Sequence, residues 1–315
     1  MSSLQVSVVM PTYNRAGDVR RAVESVLNQT ARHETYEIII VDNNSTDHTG
    51  EVLAQLVRTH QGRVRHVIET KQGVSFARNR GIEEARADVI AFFDDDVRVA
   101  RNWIEIIARA FADQPELECI GGRVLPDWEA PPPSWLTPTH WAPLALQDLG
   151  DSPMPISTEN QKGLISANLA CRRRLFDRVG GFSPAFQRVK DGIGSIEDDE
   201  WIRRVWKAGG RALYLPDLIA YTAVPASRLT RQYHRRWHSG HGRFYAVLRA
   251  EEMEQTSTGS LLGVPAHMYR SAVSSAIAWV GAAGRGRSEQ AFAHEVKLRF
   301  FRGFFIQRLA ERRFL

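Results

Sequence analysis

Three consecutive carboxylates, Asp94, Asp95 and Asp96, end the apolar run Val89 to Phe93. A short apolar run that stops abruptly in charge reads as a buried strand reaching the edge of its sheet. Unpaired, the three carboxylates would repel one another and raise their own pKa values, so a positive charge is expected among them. A hard divalent cation suits such oxygen ligands and leaves positions open for phosphate oxygens. Taken alone, the triplet also fits a solvated acidic turn. A second acidic cluster, Glu197-Asp-Asp-Glu200, precedes Trp201, Ile202, Arg203 and Arg204. A carboxylate in the first turn of a helix is held charged and ready to accept a proton, and the same run can simply pair with the two arginines.

The elements that must position these residues follow from periodicity. Val6 to Met10 is a β-rich run closed by Pro11, ahead of Thr12, Tyr13 and Asn14. A helix is predicted through Val19, Ala22, Val23, Val26 and Leu27, and then a strand from Tyr36 to Val41 that runs into Asp42-Asn-Asn-Ser-Thr-Asp47. A helix with Val52, Leu56 and Val57, a strand from Val64 to Ile68 and a helix from Phe76 to Ala85 lead to the acidic strand end. Strands alternating with helices predict a parallel sheet covered on both faces. Ligands of such sheets bind beyond the carboxyl ends of the strands, where Asn14, Asp42 and Asp94 to Asp96 converge. Neither a Gly-x-Gly-x-x-Gly turn nor a Walker lysine loop is present, so phosphates are expected to be handled by a metal and arginines.

Composition is compatible with this picture. With 315 residues, 43% hydrophobic and 24% charged, the chain is large enough for a substantial core and is not of disordered type. Two cysteines, Cys119 and Cys171, provide no disulfide framework. The start lacks a basic-then-apolar leader, and Ser271 to Gly284 falls short of the roughly 20 residues a spanning helix needs. The expectation is a cytoplasmic chain, free or peripheral to the cytoplasmic face of a membrane. The net charge of +5 is mostly arginine, whose planar fork suits phosphate.

Val6-Ser-Val-Val-Met-Pro-Thr-Tyr-Asn14, Ile38-Ile-Ile-Val-Asp-Asn-Asn-Ser-Thr-Asp47, Gly73-Val-Ser-Phe-Ala-Arg-Asn79 and Phe92-Phe-Asp-Asp-Asp96, in this order and spacing, resemble a family 2 glycosyltransferase. The resemblance implies an α/β GT-A fold, a Rossmann-like nucleotide-binding sheet with an appended acceptor-binding part, here followed by a C-terminal helical extension. It divides the chain into a nucleotide-sugar-binding half (1–105), an acceptor-binding and catalytic-base half (106–225) and a basic, mainly helical extension (226–315). It also implies inverting, metal-dependent transfer from a nucleotide-sugar, such as a UDP-sugar, to a glycan, lipid-linked or other hydroxyl acceptor. By resemblance, Pro11, Thr12, Tyr13, Asn14 and Asp42 belong to the base and ribose side of the donor site, with Arg78 and Asn79 near the diphosphate. Asp94 and Asp96 are then the ends of the motif that holds Mn²⁺ or Mg²⁺, with Asp95 between them on the donor. Gly163-Leu-Ile-Ser-Ala-Asn168 resembles the acceptor side, and Glu197-Asp198 the family's Glu-Asp motif with Asp198 as general base.

Between Pro126 and Pro155 lie eight prolines with Trp128, Trp135 and Trp141. This segment is read either as an acceptor-facing wall that uses Trp135 or as a loop packed on the core. From Ser227 to Arg249 the chain is basic without a carboxylate, and Arg236, Trp237 and His241 resemble a diphosphate-covering motif displaced by one residue. Two helices close the chain. Tyr269, Val273, Ile277 and Val280 mark the first, and Phe292, Val296, Phe300, Phe304 and Phe305 the second. The second, phenylalanine-rich and arginine-flanked, suits a membrane interface, the catalytic part or a second subunit equally. A sugar-phosphate nucleotidyltransferase lacks the expected glycine-rich basic loop here. A nucleic-acid-binding protein would leave the acidic strand ends unexplained, so no nucleic acid is expected.

Overall fold

The computed structural model describes residues 4–160, 162–187, 193–250, 260–261 and 264–311. They form two compact units. The first comprises Met1–Glu129, Ala145–Val189 and Glu197–Val224, and the second comprises Ala130–Leu144, Lys190–Ile196 and Pro225–Leu315. The halves expected at 1–105 and 106–225 thus share one sheet, and a piece of the proline-rich segment belongs to the second unit.

The first unit is built on a nine-stranded sheet in the order β3-β2-β1-β4-β8-β6-β9-β5, with β7 also paired to β9. The strands are β1 (Val6–Thr12), β2 (Tyr36–Asp42), β3 (Val64–Ile68), β4 (Val89–Phe92), β5 (Val97–Val99), β6 (Cys119–Trp128), β7 (Met154–Ile156), β8 (Leu169–Arg172) and β9 (Ala212–Val224). The helices are α1 (Val19–Leu27), α2 (Thr49–Thr59), α3 (Val74–Glu84), α4 (Trp103–Asp113), α5 (Arg173–Val179) and α6 (Glu197–Lys207). β1 and β2 are buried along their whole length, as continuous apolar runs in a covered parallel sheet must be. The neighbours β3 to β4 are parallel, whereas β8 runs antiparallel between β4 and β6, so the sheet is mixed.

Pro11 does not end β1. It pairs with Val41, beyond the last β1–β4 pair at Val9 and Phe92, where a missing N–H removes no ladder bond on that side. The long β9 strand carries Pro216, which argues against a strand in the sequence. Its partner register slips there, between Gly122 and Arg123, and the bulge accommodates the proline. A Cβ on Gly122 would lie 1.9 Å from the Leu218 carbonyl oxygen, so only glycine permits this approach. Under the sheet, Phe182 meets Phe92 at 5.5 Å and Phe176 stacks on Trp201 at 5.1 Å. These contacts fix the start of α6 against β4, and each such pair contributes about 0.5–1.5 kcal/mol beyond its burial.

In the second unit the long helices are α7 (Arg231–Leu248), α8 (Ala266–Gly284) and α9 (Ser288–Glu311), with a short hairpin of β10 (Ser260–Leu261) and β11 (Val264–Pro265) before α8. Thr230 caps α7 by accepting from the Tyr233 amide at 3.2 Å. Of the two readings of the phenylalanine-rich α9, packing describes Phe292 and Phe304, which are 2% and 1% exposed. Trp135 is packed in the same way. Its ring meets Phe292 at 4.8 Å and His234 at 5.0 Å, which leaves it no face for a sugar and assigns it to this core. The first of the two C-terminal helices is present as expected, and its apolar stripe faces outward. Val273, Ile277 and Val280 of α8 face solvent, and Ser275 and Ala282 are buried. Among the described residues no helix is long and apolar enough to cross a membrane.

Candidate active site

The carboxyl ends of β1, β2 and β4 do converge. The Asp94 carbonyl accepts from the Val97 amide at 3.1 Å, so the three carboxylates ride on a tight turn between β4 and β5. Thr12, at the end of β1, donates to Asp95 Oδ2 at 2.8 Å. Arg15 Nε lies 3.8 Å from Asp95 Oδ1. Burial and the charge of Asp96 push the Asp95 carboxyl up to about 7 against the pull of Arg15 and Thr12. Arg15 itself is kept charged by Asp95 and Asp96 although burial opposes it.

Asp42 is buried at the end of β2 and accepts from the Ser45 amide at 2.9 Å. Burial alone would raise its carboxyl, but His66 and Ser45 outweigh that and hold it below the usual range. The adjoining loops are stitched together. Asn14, at φ 53°, accepts from the Thr46 amide at 2.8 Å, and its own amide donates to Ser45 Oγ at 3.0 Å. Tyr13 projects from this rim, 42% exposed.

Arg78 is the hub. It sits on α3, 3% exposed, and its guanidinium donates to Asp94 Oδ1 and to Glu197 Oε1, each at 3.0 Å, with Asp198 Oδ1 3.5 Å away. The ring of Phe182 lies beside it at 5.5 Å. Burial favours losing the proton, but Asp94, Asp198 and Glu197 outweigh it and hold the group charged. One side chain therefore joins the acidic turn after β4 to the acidic first turn of α6. Asp198 Oδ2 accepts from the Ser166 amide at 3.1 Å, whereas Oδ1 has no hydrogen bond. Burial pushes the Asp198 carboxyl up to about 7, against Arg78 and with the help of Glu197. A carboxyl so tuned, 24% exposed, can take a proton near neutral pH.

Hard oxygen donors and surplus negative charge on the β4–β5 turn fit a divalent cation. Among the described residues no three His, Cys, Asp or Glu side chains are arranged as a metal site by themselves. One or two carboxylates would then hold the ion, with phosphate and water completing its shell.

The sequence pattern of Glycosyl transferase family 2 matches residues 7–180. The chain belongs to this family. Over 214 residues the glycosyltransferase is 28% identical to a glucosyl-dolichyl phosphate glucuronosyltransferase of Haloferax volcanii, covering 67% of this chain and 66% of that one. Over 228 residues it is 26% identical to glycosyltransferase AglE of the same organism, covering 72% and 70%. The mannosyltransferase PcManGT of Pyrobaculum calidifontis, solved with GDP-Man and Mn²⁺, superposes with a TM-score of 0.63 at 16% identity over 98% of this chain and 88% of that one. Staphylococcus aureus TarS superposes with a TM-score of 0.55 at 15% identity over 93% and 55%. The fold is GT-A.

Two motif residues of the glycosyltransferase are occupied elsewhere. Asn79 clamps the Phe182 backbone, accepting from its amide at 2.8 Å and donating to its carbonyl at 2.9 Å. Asn168 is fully buried, donating to the Arg123 and Leu218 carbonyls at 2.8 Å and accepting from Trp103 Nε1 at 2.7 Å. Asn168 thus spends both N–H groups and its oxygen inside the core, while the clamp on Phe182 uses one of the two N–H groups of Asn79. Asn168→Ala is expected to cost about 1–3 kcal/mol by orphaning buried partners. A lowered thermal midpoint with unchanged donor affinity would be the signature.

Arg236 is exposed on α7, and Trp237 stacks on His241 at 4.5 Å and 13°, all three within the second unit.

Residues to which the sequence assigned no role of their own include Arg15, Ser166 and Asn43. Asn43 donates to the Glu69 and Lys71 carbonyls and accepts from the Gly73 amide at 2.6 Å, which shapes the entry to α3. Gly73 has φ 139°, and a Cβ there would strike Gln187, so this entry admits only glycine. The polar run after β2 was the one available signal for Asn43, and nothing local singles out the Ser166 amide.

Proposed function

We propose that this glycosyltransferase moves a sugar from a nucleotide-sugar, in the first instance a UDP-sugar, to a hydroxyl of a glycan or lipid-linked acceptor with inversion. The observation that carries the reading is the buried Arg78, which unites Asp94 of the donor turn with Asp198 of the α6 turn. Thr12, Tyr13 and Asp42 take the base and ribose, with Tyr13 exposed enough to stack and Asp42 charged enough to accept from hydroxyls. Pro11 and Asn14 shape that rim. Arg78 and Glu197 position Asp198, whose carboxylate takes the proton of the acceptor hydroxyl as its oxygen attacks the anomeric carbon. Departure of the nucleoside diphosphate from the opposite face completes inversion. Asp96 and Asp94 would hold Mn²⁺ or Mg²⁺, which supplies Lewis-acid stabilisation of the diphosphate when bound. The relative named for a dolichyl phosphate substrate favours a phosphate-linked lipid acceptor.

Asp96→Asn tests the donor side. Loss of a charge-assisted contact of about 1.5–3 kcal/mol should weaken nucleotide-sugar binding in Mn²⁺ by roughly tenfold or more. Calorimetry that gave equal affinity for both proteins, or full transfer in a chelator, would remove the metal from the scheme.

A further inference from the structure

We infer that the outward face of α8 docks on an anionic lipid surface and seats a lipid phosphate in the groove beside it. Three observations within the second unit carry this. Val273, Ile277 and Val280 recur at helical spacing on α8 and are 59%, 69% and 60% exposed, opposite the buried Ser275 and Ala282. An apolar stripe turned to solvent marks an interaction site.

Next to the stripe, α7, α8 and α9 enclose a groove of about 540 Å³ lined by His238, Arg270, Ser271, Ser274, Lys297 and Phe300. Two cations and serine hydroxyls over a phenylalanine floor match a phosphate ester on an apolar stem. His238 Nε2 is buried there without a hydrogen-bond partner. An apolar depression of about 580 Å³, lined by Tyr269, Val273 and Ile277, shares Arg270 and Ser274 with the groove, so headgroup and stem positions are continuous.

Charge selects the occupant. From Ala266 to Ser288 the chain has no carboxylate, while Arg270, Arg285 and Arg287 are exposed. The carboxylates of α9 are engaged elsewhere, Glu289 with Ser134, Glu295 with Arg235 and Arg299, and Glu311 with Arg308. A two-fold contact with a second copy would set this cationic face against itself. An anionic bilayer complements both the charge and the apolar stripe.

Flotation of the full chain with phosphatidylcholine vesicles, with and without phosphatidylglycerol, tests the inference without reading glycosyl transfer. Binding is expected only with phosphatidylglycerol. Ile277→Asp with Val280→Asp should weaken it by roughly tenfold or more. Arg270→Ser with Lys297→Ser should weaken it and flatten its salt dependence. Because these positions are solvent-facing, the melting curves should stay at the wild-type value, which separates lost docking from lost folding. Absence of vesicle binding, or equal binding by the Asp variant, overturns the inference. So does a dimer in light scattering that the Asp variant dissolves, which would give the stripe to a second copy.

Discussion

Asp198→Asn is expected to lower kcat by about 10²- to 10⁴-fold while the Kd for the nucleotide-sugar stays near wild type. The amide is isosteric and can still accept from the Ser166 amide, but it cannot take a proton. The split between kcat and Kd therefore reports chemistry and not folding. Because Asp198 is pushed up to about 7, it is protonated below that pH and unable to act as base. The wild-type kcat/KM should fall as pH drops through about 7, and Asp198→Asn should lose that limb. Near-normal turnover in a folded variant would move the base to another carboxylate.

Arg78→Met should be the most destabilising change at this site. Removing a buried cation while its partners remain leaves Asp94, Glu197 and Asp198 uncompensated, and breaking a buried pair in this way costs about 3–5 kcal/mol. Urea unfolding measures the loss. Arg78→Lys keeps the charge but not the fork that spans two carboxylates, so it should recover only part of the stability. Weaker compensation also moves the acid limb of its kcat/KM profile above the wild-type position. A melting curve and pH profile unchanged in Arg78→Met would show that the three carboxylates do not depend on this guanidinium.

The parallel half of the sheet was legible because its strands are continuous apolar runs that end in polar turns. The rim of Asn14, Asp42 and Asp94 to Asp96 followed from topology alone. β9 was not legible, since its alternation is interrupted by Pro216 and only the bulge opposite Gly122 makes that proline compatible with a strand. Asn79 and Asn168 carry family motifs, yet a motif does not say whether an amide faces a ligand or clamps a backbone, and both clamp. The α8 spacing showed an amphipathic helix, but periodicity does not fix which face meets water. Here the apolar side is the outer one. Arg78 was placed near the diphosphate by its motif, whereas its partners lie 16 and 119 positions away and no local pattern encodes that pairing.

The most direct measurement is nucleoside diphosphate release from a panel of nucleotide-sugars in Mn²⁺, run for wild type and Asp198→Asn side by side. Wild type is expected to release the nucleoside diphosphate from at least one donor, and the variant to lose that release almost completely with donor binding retained. Release from none of the panel, or equal release by both proteins, would contradict Asp198 as the base of a nucleotide-sugar-dependent transfer.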